Sequence, residues 1–244
     1  MSGELNGLKV LITGGASGIG RATAEMMQDR GAAVAVLDRA EGGPDGMAFA
    51  RADLADAEGV ARSLRDLAEG LGGLDVLINC AGIDLEAPSA EVTDAQWEEV
   101  IGINLTGPMR TARAAFPYLR ASDRGAIVNV SSGAGLRPIP DRAAYCSSKA
   151  GLVMLSKSLA LDWAEHGIRV NAVCPGAVET GLFRQSYKDH PDPEGRLELI
   201  RARYALGRVA APEELAEAIV FLASPAASYV TGVALAVDGG RSFH

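Results

Sequence analysis

The sequence predicts an α/β fold: one domain built on a doubly wound, seven-stranded parallel sheet. Three observations carry this. Seven short apolar runs of strand type are spread along the 244 residues, stretches of helical period separate most of them, and a glycine-rich loop joins the first run to the first helical stretch. With 48% hydrophobic residues the chain can bury one large core, and no linker or compositional shift divides it, so residues 1–244 read as a single domain. No repeat or low-complexity segment interrupts it.

A net charge of −8 favours solubility and argues against a general nucleic-acid partner. No apolar run reaches the roughly 18 residues of a membrane span. The opening Met1-Ser-Gly-Glu-Leu5-Asn-Gly7 has no basic segment of a secretory leader. Cys80, Cys146 and Cys174 form neither a C-x-x-C pair nor an even set, which suits a reducing cytoplasm. His166, His190 and His244 have no metal-ligand spacing, so no metal is expected.

Leu8–Thr13 is the first strand run. Gly14-Gly-Ala-Ser17-Gly18-Ile19-Gly20 follows, then a helical stretch over 21–30 that Gly31 stops. Ala32–Leu37 is the second strand, and Asp38 ends it. Strand, glycine loop, helix, strand and acid together form the pattern of a dinucleotide-binding unit. The glycines let the backbone approach a pyrophosphate, and the helix N-terminus supplies amide donors. Asp38, 18 residues after Gly20, can accept the ribose hydroxyls of NAD and would repel a 2′-phosphate. Arg39 could welcome that phosphate, stack on adenine, or simply be solvated.

Residues 39–46 are too few for a helical crossover before the next strand run, Met47–Ala52, so a loop is expected there. Asp53 then stands at a strand end, where it could meet the adenine amino group or serve as a turn or capping aspartate. A helix is predicted over 56–71, with Val60, Leu64, Leu67 and Leu71 on one face. Leu74–Asn79 is the fourth strand, and Cys80-Ala81-Gly82 after it are small enough for a cofactor to approach.

Thr93 reads as a helix N-cap. Asn104 lies in that helix just before Thr106-Gly107-Pro108, which should disturb the hydrogen-bond ladder. A disturbed ladder frees a carbonyl that could hold a water, although a plain capping role fits the asparagine equally. The helix resumes over 110–119, and Gly125–Val130 is the fifth strand. A long helix is predicted over 143–165. Ile168–Val173 is the sixth strand, followed by the turn Pro175-Gly176 and by Thr180, which can bond a nicotinamide carboxamide. Residues 179–207 carry many charges and few strand signals and read as a lid. A helix over 212–222 and the strand Val233–Val237 complete the chain.

The chemistry concentrates in Ser132, Tyr145 and Lys149. Tyr145 and Lys149 share one helix face, and Ser132 precedes the tyrosine by 13 positions, after the fifth strand. In isolation the pair is an ordinary surface pairing; with the dinucleotide unit it becomes an acid–base couple. An ammonium beside a phenol favours phenolate. A drop of about three units from the free value near 10 needs roughly 4 kcal/mol of differential stabilisation. The lid and nearby loops also supply Arg137, Arg142, Arg184 and Lys188, which could meet a carboxylate or phosphate or form a solvated face.

Taken together, Thr13-Gly-Gly-Ala-Ser-Gly-Ile-Gly20, Asn79-Cys-Ala-Gly82, Asn104, Ser132, Tyr145-x-x-x-Lys149, Pro175-Gly176 and Thr180 resemble the short-chain dehydrogenase/reductase family over nearly the whole chain. The resemblance implies a Rossmann fold, NAD as cofactor, a small alcohol or ketone substrate, and a catalytic tetrad of Asn104, Ser132, Tyr145 and Lys149. It further implies a cofactor cleft of Gly14, Ser17, Gly18, Ile19, Gly20, Asp38, Arg39, Asp53, Leu54, Asn79, Ala81, Gly82, Tyr145, Lys149, Pro175, Gly176, Val178 and Thr180. A homotetramer, less often a dimer, is implied as well. Cys80 replaces the family's second asparagine, with no loss of activity expected. The short segment 39–46 also departs from the pattern; family members that share it include some acting on hydroxy acids, keto acids and cyclic diols.

The leading expectation is therefore an NAD-dependent secondary-alcohol oxidoreductase of the cytoplasm. Three rivals remain: an NADPH-dependent 3-oxoacyl-carrier-protein reductase, opposed by Asp38; a nucleotide sensor without chemistry, opposed by the intact tetrad; and a structural protein with a vestigial site, opposed by the glycine loop.

Overall fold

Seven parallel strands make one sheet in the computed structural model, which describes residues 5–243. The first four residues, with the start of the opening segment, and His244 lie outside the described residues. The strands are β1 (Lys9–Thr13), β2 (Ala33–Asp38), β3 (Ala48–Arg51), β4 (Val76–Asn79), β5 (Ala126–Val130), β6 (Arg169–Pro175) and β7 (Ala234–Val237). Their order across the sheet is β3-β2-β1-β4-β5-β6-β7. The winding reverses between β1 and β4, which pair through Thr13 and Asn79 at their carboxyl ends. Such a reversal leaves a crevice between the two diverging connections.

Side chains alternate across the sheet, so each central strand feeds two cores. Val10 and Ile12 pack on one face with residues of α1 (Gly18–Asp29) and α8 (Pro212–Ala223). Leu11 packs on the other with residues of α2 (Ala57–Gly70), α4 (Gly107–Ala121) and the long α5 (Ala143–Asp162). The fold class, the strand count and the parallel, doubly wound order agree with the sequence reading.

Several boundaries moved. Helix α1 begins at Gly18, inside the glycine loop, because the loop glycines form its first turn. No helix occurs between β2 and β3, as the short segment required. Strand β6 runs on to Pro175 because β7 pairs with it as far as Pro175–Val237. Helix α5 stops at Asp162, followed by a 3₁₀ turn and by Gly167 at φ +70°. The segment 179–207 contains α6 (Gly181–Gln185) and α7 (Pro193–Arg201).

Thr93 caps α3 (Asp94–Ile101) through a reciprocal capping box with Gln96. The predicted disturbance around Asn104 is a π-helical turn, Gly102–Thr106, joining α3 to α4. Pro108 has no N–H to offer the Asn104 carbonyl four residues earlier, and the Gly107 amide reaches back five residues to the Gly102 carbonyl.

A buried polar chain crosses the sheet next to the crevice. Thr111 donates to Asn79 (2.7 Å), Asn79 to Asn129 (2.9 Å), and Asn129 to Ser156 (2.9 Å), tying α4, β4, β5 and α5 together. Interrupting it leaves a buried donor unmet. Asn129→Ala should therefore lower stability by about 1–3 kcal/mol, seen as a lower urea midpoint with an unchanged slope; an unchanged midpoint would refute the role of the network.

Candidate active site

The carboxyl ends of the central strands open into a cleft of about 840 Å³. Its cofactor half starts where β1 ends. Gly14 has φ +71°, and a Cβ there would come within 2.6 Å of the Ala81 backbone after β4. A Cβ on Gly20 would meet the Gly14 carbonyl at 2.1 Å. The glycines are thus needed for close packing of loop, strand and helix. Ser17 is extended and makes no side-chain capping bond, which leaves the first-turn amides of α1 uncapped by it. These donors at a helix N-terminus suit a pyrophosphate.

Asp38 is held from two sides. Its carboxylate accepts from the Ala16 and Ala40 amides, both at 3.0 Å. Arg39 is exposed at the rim. The Asp53 carboxylate accepts from the Ala55 amide (2.8 Å), a turn role, while the residue also lines the cleft. Leu54 is buried beside it, and Arg110 pins the turn by donating to the Leu54 and Ala55 carbonyls. Thr180 lies against Gly18 and caps α6 by accepting from Phe183 (3.2 Å). Ile19, Gly82, Pro175, Gly176 and Val178 line the same cleft.

Two predicted residues stand elsewhere. Asn79 does not reach the cofactor cleft: its side chain points into the layer below the sheet and is consumed by Thr111 and Asn129. Asn104 is fully buried; it accepts from the Ile83 amide (2.9 Å) and donates to the Ile83 carbonyl (2.8 Å) and Ser148 (3.1 Å). Its side chain holds the chain after β4 in place.

The catalytic half joins β5 to α5. Ser132 follows β5 and accepts from the Ala134 amide (3.1 Å), which orients its hydroxyl. Its neighbour Ser131 is structural, donating to the Lys149 carbonyl (2.8 Å). Lys149 is 4% exposed; its Nζ donates to the Val130 carbonyl (3.0 Å) and sits 5.8 Å from the Tyr145 ring centre. Burial pulls the Lys149 ammonium down to about 8.

Without a cofactor, burial dominates and raises the Tyr145 phenol, and the counteracting groups are the Ser132 hydroxyl and the Arg142 charge. The thiol of Cys80, beside the cleft, is pushed up to about 12 by burial, with Lys149 opposing, so it is no nucleophile.

At the substrate end, Ile83, Ile139, Pro140, Leu182, Phe183 and Ile200 supply apolar wall. Tyr204, which no sequence pattern marked, accepts from the Ala177 amide (2.9 Å) and so steadies the turn after Pro175. Of the four candidate anion-binding cations, Arg142 reaches the cleft but is paired with Asp84 and Glu86. Arg184 turns to Glu179 (2.5 Å) and Lys188 to Asp189 (3.8 Å). Glu86 also takes Arg196 of α7 (2.7 Å), linking the 179–207 segment to the loop after β4. No group of three or more His, Cys, Asp or Glu among the described residues is arranged to hold a metal. No helix among them is long and apolar enough to cross a membrane.

A family model described as enoyl-(acyl carrier protein) reductase matches residues 14–242. A 2-(S)-hydroxypropyl-CoM dehydrogenase of Xanthobacter autotrophicus is 37% identical, covering 99% of each chain. A cis-4-hydroxycyclohexanecarboxylate dehydrogenase of Sinomonas cyclohexanicum is 43% identical over 94% of each chain. The ligand-free structure of Thermoplasma acidophilum aldohexose dehydrogenase superposes with a TM-score of 0.95 at 32% identity, covering 100% of this chain and 97% of that one. This chain belongs to the short-chain dehydrogenase/reductase family, a nicotinamide-cofactor class. Within that family it is an oxidoreductase that interconverts a secondary alcohol and a ketone.

The buried ammonium has a measurable consequence. A folded-state value of about 8 against an ordinary 10.5 means that charged Lys149 opposes folding at neutral pH. This penalty declines as pH rises from 8 to 10.5, where the unfolded chain holds the extra proton. Lys149→Met should be inactive yet more stable than wild type at pH 7, by about 2 kcal/mol. Thermal unfolding from pH 7 to 10 checks this, and the stability gap should narrow along the series.

Proposed function

We propose that the enzyme uses NAD as its cofactor and Tyr145 as its acid–base group. The observation that carries this is the convergence, in one cleft, of the glycine loop, the fixed Asp38 carboxylate, Ser132, Tyr145 and buried Lys149. The cleft fits a dinucleotide. The Gly18, Ile19 and Gly20 turn would hold the pyrophosphate, with Gly14 and Ser17 beside it. Asp38 would take the adenosine ribose, and Asp53 and Leu54 the adenine side. Val178 and Thr180 would meet the nicotinamide end. When bound, the nicotinamide supplies the hydride acceptor or donor.

The chain's own residues do the rest. Ser132 and Tyr145 hold the substrate oxygen. In oxidation Tyr145 takes the hydroxyl proton; in reduction it returns one. Lys149, anchored on the Val130 carbonyl, would hold the nicotinamide ribose and, with the bound cofactor, favour the phenolate. Because burial raises the Tyr145 phenol, a cationic partner is needed for proton removal near neutral pH. Asn104 is a positioning residue: its side chain fixes the Ile83 backbone, and its carbonyl, denied an amide from Pro108, is the acceptor we assign to a relay water.

The segment 179–207 serves as the lid, latched through Arg196 to Glu86. A cytoplasmic homotetramer is the assembly and location we infer. Three unpaired cysteines support the location, and the exposed Met154 and Leu161 on α5 support contact through that helix.

Initial rates with NAD⁺ and with NADP⁺, over a panel of secondary alcohols, polyols, sugars and hydroxy acids, test the cofactor assignment. NAD⁺ should be preferred, and Asp38→Ser should erode that preference by about tenfold or more, since it removes a charge from the ribose site. A wild-type preference for NADP⁺ would reverse the assignment. Tyr145→Phe should lower kcat by at least about 100-fold while cofactor binding persists; near-normal turnover would remove Tyr145 from the mechanism.

A further inference from the structure

Among the described residues, two arginines at the substrate end have no carboxylate within ion-pair distance. Arg203 follows α7, and Arg241 follows β7; both line the cleft next to Tyr204. Both also border an adjoining cavity of about 430 Å³, whose other walls are Arg137, Pro138 and Pro140. Three guanidiniums therefore converge on a space with no acidic wall.

Their surroundings do not neutralise them. Among the described residues, no carboxylate oxygen lies within 4.0 Å of Arg137, Arg203 or Arg241, whereas Arg142 and Arg196 are paired with Asp84 and Glu86. Asp238, in the same region, is already occupied, accepting from the Gly240 (3.0 Å) and Ser242 (2.8 Å) amides. Arg137 donates to the Arg241 carbonyl (3.1 Å), which brings the two chains together without cancelling either charge. Arg241 is only 8% exposed, and among the described residues its guanidinium makes a single hydrogen bond, to the Pro138 carbonyl, long at 3.4 Å. At Arg142 burial chiefly disfavours the protonated form, and the Arg196 and Arg203 charges add to it in a minor way. Arg241 is the buried member of the three, and a buried guanidinium with no carboxylate beside it is costly unless an anion joins it.

We propose that the substrate carries an organic oxyanion, a carboxylate in the simplest case, which Arg203, Arg241 and Arg137 receive while Ser132 and Tyr145 hold its hydroxyl. The assignment rests on the dehydrogenase reading above and names its substrate class. Guanidinium forks match the two oxygens of a carboxylate. The three arginines come from three segments: the turn after β5, the end of the 179–207 segment and the stretch after β7. An anion bound among them draws those segments over the substrate.

Titration calorimetry with NADH present tests the site directly, using cyclohexanecarboxylate and its neutral counterpart cyclohexanecarboxamide as probes. The carboxylate should bind about tenfold more tightly, the size expected for charge-assisted hydrogen bonds. The difference should fall severalfold in Arg203→Gln and in Arg137→Gln, both exposed positions where folding is not at stake, and should shrink at high salt. Equal binding of the two probes to wild type, or an undiminished preference in both variants, overturns the proposal. In parallel, kcat/KM is measured for hydroxycyclohexanecarboxylates against their methyl esters. Turnover of neutral alcohols with no discrimination between the probes overturns the anion site and leaves the dehydrogenase reading standing. Discrimination with no turnover of any alcohol supports the anion site and counts against the dehydrogenase reading.

Discussion

The structure turns on a buried ammonium. Lys149 reaches from α5 to the Val130 carbonyl at the end of β5, and the neighbouring backbone is shaped to let it do so. A Cβ on Gly135 would lie 2.8 Å from the Lys149 backbone, and one on Gly82 would lie 3.2 Å from its Nζ. Ser131 binds the Lys149 carbonyl from below. Burial alone would argue for a neutral lysine, and its lowered value of about 8 reflects that cost. A large, well-packed sheet can carry such a penalty, because the stability of the whole domain exceeds that of any one site.

Around this charge the polar interior is layered by purpose. The chain from Thr111 through Asn79 and Asn129 to Ser156 satisfies its own members and keeps β4, β5 and two helices in register. Asn104 spends its amide on the chain after β4, at the point where the glycine loop and the lysine both approach. Neither asparagine touches the cleft, yet both fix the strand ends that form it. The substrate end follows another rule, with an excess of guanidinium facing an apolar wall and an adjoining cavity.

Much of this was legible in the chain. Seven apolar runs, the glycine loop and Asp38 identified the sheet, its doubly wound class and the dinucleotide cleft, because backbone approach and strand burial need particular residue types at particular places. The eight residues 39–46 excluded a helix on length alone. Pro108 announced a disturbed ladder, because a missing N–H is a local fact, and the structure gives it the form of a π-helical turn. Helix ends were less legible: α1 absorbed the loop glycines, and α5 stopped short of Glu165.

The sequence by itself determined the reactive group types, their spacing along one helix, and the order of elements that brings them to the strand ends. Only the tertiary structure decided that Asn79 faces the layer below the sheet, since one residue of strand alternation sends a side chain to the opposite face. It alone decided that Arg142 is paired, since Asp84 and Glu86 are remote from it in sequence, while among the described residues Arg203 and Arg241 have no carboxylate partner. It decided, too, that burial outweighs the neighbouring charges at Tyr145. Desolvation depends on everything packed around a group, and no local pattern of residues encodes it.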